Sequence, residues 1–239
     1  LFLPEILFSQ TVTPGLEALT ISESANGDKT YSLSLKILAL MTGLTILPSL
    51  VLGMTAFTRI IIVLSILRQA LGTQQTPPNQ VLIALALFLT FYIMSPVLDR
   101  AWTEAGRPYV DGEIEIQEGI EKGGEIFKRF MLANTRQEDL IAFTDLAELP
   151  QFENPSEVPF RVLLPAFITS ELKIAFQIGF LIFLPFLVID LLISSILMSL
   201  GMMMLSPMLV ALPFKLLLFV LVDGWSMTVG SLAASYLVE

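Results

Sequence analysis

Six ionisable side chains fall inside long apolar runs or at their mouths: Arg59, Glu171, Lys173, Asp190, Lys215 and Asp223. Charge in the middle of a hydrocarbon layer is costly, so each is a candidate for function. One reading sets them as paired charges lining a path, with Glu171 or Asp190 as the partner of Lys215. The other has the pairs fix helix register or subunit contacts, which buried ion pairs do more often than chemistry. Catalysis finds little to work with. The chain has no His and no Cys, which excludes Ser-His-Asp and Cys-His chemistry, His- or thiolate-ligated zinc and iron–sulfur clusters. Asp190 and Asp223 alone could form an intramembrane aspartyl pair, and neither lies in a Tyr-Asp or Gly-x-Gly-Asp setting. No Gly-rich loop of P-loop spacing occurs. No enzyme activity, cofactor or metal is expected.

A second constellation is Gly201-Met202-Met203-Met204, followed by Ser206-Pro207. Successive helical residues point about 100° apart, so three Met cannot share one helix face. Gly before and Pro after mark a loop. Thioether side chains are long, flexible and polarizable. Copies of this loop converging on an axis would form a dry collar that closes a pore yet deforms around cargo. The alternative is the tip of an apolar hairpin packed on lipid or a neighbour.

The elements that must position these residues are mostly apolar. Of 239 residues, 54% are hydrophobic and 15% charged, well below the quarter or so typical of soluble domains. Acids outnumber bases 22 to 13, which leaves no phosphate-neutralising surface and no nucleic-acid partner. Four apolar blocks stand out: 37–67, 81–98, 174–200 and 205–238. The first would make a helix about 46 Å long, too long for one upright span. It is expected to span to about Ala56 and run on amphipathically through Arg59 and Arg68. Leu71-Gly72-Thr73 and Pro77-Pro78-Asn79 then force a turn. Pro48 interrupts the first block and Pro185 the third, and the fourth is broken by Pro207, Pro213 and Asp223-Gly224-Trp225.

The stretch 1–36, with Pro14-Gly15 and a run of small polar residues at 22–28, reads as a loose solvated arm. The chain begins at Leu1 with no basic run before an apolar stretch. A removed signal or a trimmed chain is therefore expected. The segment 99–170 is polar, with 14 acids and 7 bases. The 59–80 connection carries Arg59 and Arg68 without an acid. The positive-inside rule puts that connection in the cytoplasm, and both termini and the polar segment outside. Within the polar segment Ile116, Ile120, Phe127, Phe130 and Met131 fall at helical spacing. Thr135-Arg136-Gln137-Glu138 has the form of a capping box opening a second helix, with an apolar stripe of Leu140, Phe143, Thr144 and Ala147. The expected organisation is an extracytoplasmic arm (1–36), a first hydrophobic helical hairpin (37–98), an acidic helical extracytoplasmic subdomain (99–170) and a second hydrophobic hairpin with the Met-rich loop (171–239).

Several runs, in order, resemble the FliP family of flagellar type III export-gate proteins. They include Phe57-Thr58-Arg59-Ile60-Ile61-Ile62-Val63-Leu64, Arg68-Gln69-Ala70-Leu71-Gly72-Thr73 and Phe88-Leu89-Thr90-Phe91 with Met94-Ser95-Pro96. Further along come Phe130-Met131-Leu132 with Thr135-Arg136, Thr169-Ser170-Glu171-Leu172-Lys173 and Gly201-Met202-Met203-Met204. Leu212-Pro213-Phe214-Lys215 and Leu221-Val222-Asp223-Gly224-Trp225 close the pattern. It runs from about residue 40 to the end. Injectisome homologues share much of it, but 74–78 and 88–96 look more flagellar.

The resemblance implies an all-α, membrane-inserted subunit of bent helical hairpins that builds a helical pore for unfolded flagellar subunits. It implies about five copies of the chain, about four of FliQ and one of FliR, in a heterologous assembly. Membrane lipid and other export-apparatus membrane subunits are further expected partners. The implied site is the bacterial inner membrane at the flagellar basal body, with much of the complex on the periplasmic side. It assigns Met202, Met203 and Met204 to a pore gasket, and Glu171 and Lys215 to a charge pair between helices or subunits. Phe130 and Phe143 become subunit contacts. The alternatives are a proton-coupled carrier using Asp190 or Glu171, a membrane anchor without a conducting path, or the equivalent injectisome subunit.

Overall fold

The computed structural model describes residues 19–23, 29–33, 35–73, 75–150, 152, 154, 157–202 and 204–236. The chain forms two compact units, residues 1–50 and 51–239. In the first, strands β1 (Leu19–Glu23) and β2 (Lys29–Leu33) pair antiparallel, with Leu19 opposite Leu33 and Glu23 opposite Lys29. The expected loose arm therefore contains a hairpin. Helix α1 (Leu35–Gly53) follows and runs through Pro48. Its side chains from Leu38 to Leu50 are exposed. Thr42 and Thr45 donate their hydroxyls to the carbonyls of Leu38 and Met41, at 2.8 and 2.7 Å. Such back-bonding hides the hydroxyls that an apolar surrounding would penalise.

The second unit is all-helical among its described residues. Helix α1 stops at Gly53 and α2 (Phe57–Ala70) begins after a break at 54–56. The expected continuous run through Arg59 is thus replaced by two helices, and Thr55 accounts for the local geometry. Its hydroxyl donates to the Leu52 carbonyl at 2.8 Å and accepts the Phe57 N–H at 3.4 Å. Helix α3 (Asn79–Ala101) passes through a π-helical turn at Trp102–Gly106 into α4 (Arg107–Val110). Helices α5 (Ile116–Asn134) and α6 (Gln137–Leu146) form the polar subdomain. Helix α7 (Phe160–Ser199) is 40 residues long, and α8 (Pro207–Leu221) and α9 (Gly224–Ala234) complete the chain.

At about 60 Å, α7 is the spine on which α2, α5, α6 and α8 pack. The boundary expected at 170/171 falls inside it. Ser170 and Glu171 look like the polar end of a hydrophobic block, but both are fully buried against protein partners. The main core joins Ile60, Val63 and Leu64 of α2 with Met94 and Val97 of α3, Phe130 and Met131 of α5, and Leu163 and Phe167 of α7. A second cluster packs Leu67, Ala70 and Leu71 with Phe186 and Phe219.

The prolines do not break these helices. Pro185 and Pro213 lie inside α7 and α8, as Pro48 does in α1. The break in the last block comes at Asp223, left-handed at φ 50°, and α8 and α9 meet there at 62°. Two helical runs, Asn79–Val110 and Phe160–Ser199, are long and apolar enough to cross a membrane, and up to four if each broken pair counts as one.

The capping box does not form. The Thr135 hydroxyl donates back to the Met131 carbonyl at 2.6 Å, and Glu138 accepts from Arg136 at 2.7 Å. The Thr135 N–H goes to the Leu132 carbonyl at 3.3 Å, so Arg136 and not Thr135 is the cap residue of α6. The Arg136 N–H is met by the Ser170 hydroxyl of α7 at 2.8 Å. Ile116 and Ile120 of the expected α5 stripe are exposed, and only its second half, with Phe130 and Met131, is buried.

Helices α2 and α7 cross closely at Gly179, where a Cβ would stand 2.4 Å from Ile66 Cδ1 and 3.2 Å from its Cβ. We expect Gly179→Ala to destabilise the chain by about 1–3 kcal/mol through overpacking. Ile66→Ala in the same chain should restore most of the loss. Thermal unfolding in detergent checks both, and equal midpoints for Gly179→Ala and parent would contradict the crossing.

Candidate functional site

Three polar clusters lie along α7, each joining it to a different helix. The deepest is Arg59 with Glu171. Arg59 sits in the first turn of α2, on the face that turns to α7, and both residues are at most 1% exposed. Arg59 Nε donates to Glu171 Oε2 at 2.9 Å and Nη2 donates to Oε1, a bidentate fork. Arg59 Nη1 donates to the carbonyl and hydroxyl of Ser235, at 2.9 and 3.0 Å. The Tyr236 ring lies 3.9 Å from the guanidinium carbon, and its hydroxyl is 2.8 Å from Glu171 Oε2. A buried ion pair holds only when such further bonds satisfy the remaining donors and acceptors. Here they do. The planar fork and the stacked ring suit Arg and not Lys.

The second cluster is Lys215 of α8. Its ammonium donates to Asp190 Oδ2 at 2.6 Å and to the Ala70 carbonyl at 3.1 Å. Ala70 is the last residue of α2, where free carbonyls and the negative end of the helix dipole favour a cation. Gly72, at φ 79°, turns the chain away there. Lys215 thus caps one helix while pairing with another. The third cluster joins Lys173 of α7 to Asp139 Oδ1 of α6, beside the Arg136–Ser170 bond.

These contacts give Lys215 the second of its two expected partners, Asp190, and leave Glu171 and Lys215 unpaired with each other within the chain. Within the chain the two bind different partners, Arg59 and Asp190. They lie on separate stretches of α7 and α8 because Glu171 and Asp190 are 19 residues apart on one helix, about 28 Å. Arg59 was expected to serve as a cytoplasmic loop charge. Its burial removes it from the topology count, which leaves Arg68, whose guanidinium holds the 77–79 turn through Asn79 Oδ1 at 2.6 Å. Asp223 is exposed at the α8–α9 break. Ser235 and Tyr236 were not singled out by sequence, since a Ser-Tyr pair ending an apolar block carries no motif. Among the described residues no group of three His, Cys, Asp or Glu side chains could hold a metal.

Of the apolar candidates, Phe130 is 4% exposed and packs inside the chain against Phe167 and Tyr236. That burial takes it out of the expected subunit contact. Phe143 is half-buried at the edge of the main core. In the turn from α7 to α8, Met202 is exposed and Met204 fully so; Met203 lies outside the described residues.

Residues 40–232 match the FliP family. The chain is 70% identical to the flagellar biosynthetic protein FliP of Cereibacter sphaeroides over 222 residues, 93% of this chain and 73% of that one. It is 54% identical to the FliP of Pectobacterium carotovorum over 97% of this chain and 90% of the relative. With the Bacillus subtilis protein of the same name it shares 49% over 89% and 96% of the two.

The geometry predicts which charges couple. Glu171→Ala strands a buried guanidinium and Arg59→Ala a buried carboxylate, at about 3–5 kcal/mol each. The double variant should cost much less than the sum. Glu171→Ala with Lys215→Ala should instead add, because they share no partner. Stability in detergent for the two cycles checks this, and strong coupling between Glu171 and Lys215 would contradict it.

Proposed function

The chain belongs to the FliP family of flagellar biosynthesis proteins, which is not a family of enzymes, and from that premise we propose that it is a pore-forming subunit of the flagellar type III protein-export gate. Several copies, with FliQ and FliR, would enclose a conduit at the inner membrane of the basal body, largely on its periplasmic side. Unfolded flagellar subunits would pass along it.

The observation that carries the reading is the turn between α7 and α8. Met202 and Met204 stand in the turn at the end of a 40-residue helix, Met202 44% exposed and Met204 fully exposed in its own chain. A fold does not leave thioether side chains at an apolar tip for its own stability, and flexible Met side chains suit a surface that must repack around varied cargo. The apolar flanks support assembly. Phe176, Phe180, Leu184, Leu187 and Leu191 on α7, with Phe88 and Phe91 on α3, are exposed, an apolar area far beyond what a lone soluble chain carries. The carrier reading lacks such support, because Arg59, Glu171, Lys173, Asp190 and Lys215 all have partners inside the chain.

Replacing Met202, Met203 and Met204 together by Ala removes most of each side chain from every copy. The complex should still assemble, because the turn lies apart from the charge clusters. Conductance or small-solute uptake in cells should rise, with export retained or mildly reduced. A fully assembled variant as tight as the parent would make the Met side chains mere packing.

Phe143 offers a second test. It sits half-buried at the rim of the α5–α6 subdomain, where a neighbour can reach it. Phe143→Asp should abolish the high-mass complex while the chain remains in the membrane fraction. An intact complex carrying Phe143→Asp would remove the subdomain from the subunit interface.

A further inference from the structure

Helix α9 is attached in an unusual way. Along its length only Gly224, Thr228 and Leu232 are buried, a stripe one residue wide. Between α9, α8 and α7 lies a cavity of about 500 Å³, lined among others by Ile178, Ile182, Phe186, Phe219 and Thr228. The helix therefore does not lie flush on the spine. Apart from Leu232 and Ala233, which pack into the main core near its C-terminal end, it is held by the turn before it and the residues after it.

The first end is the α8–α9 turn. Asp223 is left-handed, a conformation that non-glycine residues adopt only when their surroundings enforce it. Gly224 follows with the Phe219 ring so close that a Cβ would stand 2.2 Å from it. The second end is Ser235–Tyr236. Ser235 accepts Arg59 Nη1 twice, through its carbonyl and its hydroxyl. The Tyr236 hydroxyl reaches Glu171 Oε2 at 2.8 Å and the Ala56 carbonyl, in the α1–α2 break, at 3.0 Å. The Tyr236 ring is sandwiched, with Arg59 at 3.9 Å on its face and Phe130 stacked at 6.1 Å.

We propose that Ser235–Tyr236 is a latch that closes α9 onto the Arg59–Glu171 pair, and that α9 opens as an arm about Asp223–Gly224 when the latch releases. The ion pair persists through the opening. Its bidentate fork links α2 and α7 without help from α9, and only the outer donor Nη1 and the second acceptor on Oε2 are freed. Both groups can be met by water in the opened state, which keeps opening affordable. Opening widens the apolar groove beside α9, which is already open on one side, and frees the arm before subunits close around it. The latch thus couples the interior ion pair to the shape of the last helix.

The discriminating variant is Tyr236→Phe, which keeps the ring, its stacking and the cation–π contact and removes the hydroxyl alone. Hydrogen–deuterium exchange on the full chain in detergent reads opening segment by segment. Loss of one buried hydrogen bond should speed exchange across 225–236 about tenfold, with 57–70 and 160–180 unchanged. Unchanged exchange across 225–236 would overturn the latch. Faster exchange in all three segments together would also overturn it, because Tyr236 would then belong to the common core.

Discussion

Arg59 and Glu171 face each other out of reach of water, and the meeting of α2, α7 and the end of α9 depends on that contact. Neither charge tolerates burial alone; each makes burial of the other acceptable, and only with further hydrogen bonds around them. With the latch closed those bonds come from Ser235 and Tyr236, so α2, α7 and the turn after α9 meet at one point. The same logic recurs along α7. Lys173 draws in α6 through Asp139, and Asp190 draws in α8 through Lys215, which also reaches the end of α2. An apolar helix pair can slide or rotate with little change in buried area. A forked ion pair fixes register to within a hydrogen bond.

What the charges leave uncommitted is the outer surface. Helices α1, α3, α7 and α8 expose long aliphatic and aromatic side chains, while Arg59, Glu171, Lys173, Asp190 and Lys215 find partners within the chain. The chain therefore has a specified interior and an apolar exterior, which suits contact with lipid first and with other subunits afterwards. The Met-rich turn lies at the end of the spine, away from all three clusters, where side chains can move without disturbing the ion pairs.

The all-helical class, the apolar blocks and the identity of the charged residues were legible in the sequence, because hydropathy and the cost of buried charge act locally. Their pairing was legible in part: Asp190 was one of two candidate partners of Lys215, but the partner of Glu171 was not visible, because Arg59 follows a hydrophobic block at the distance of one span and reads as a loop charge. A helix break at Thr55 turns it inward instead. The capping box at Thr135 failed because α6 starts one residue later, with Arg136 as its cap, while the Thr135 hydroxyl and N–H turn back to the Met131 and Leu132 carbonyls of α5. Prolines marked the wrong break points. In α1, α7 and α8 the helix runs through Pro48, Pro185 and Pro213, whereas Asp223-Gly224-Trp225, the other break expected in the last block, does carry the bend. Tyr236 was invisible for want of a motif, although a tyrosine near the end of an apolar run has to find a partner for its hydroxyl.

The central claim is that this chain acts as one of several copies around an axial path. Native mass spectrometry of the detergent-extracted complex tests it most directly. The account predicts a mass holding about five copies of the chain together with smaller membrane subunits, since heterologous contacts between identical chains build rings or helices. A monomer or an isolated dimer as the largest stable species would contradict it.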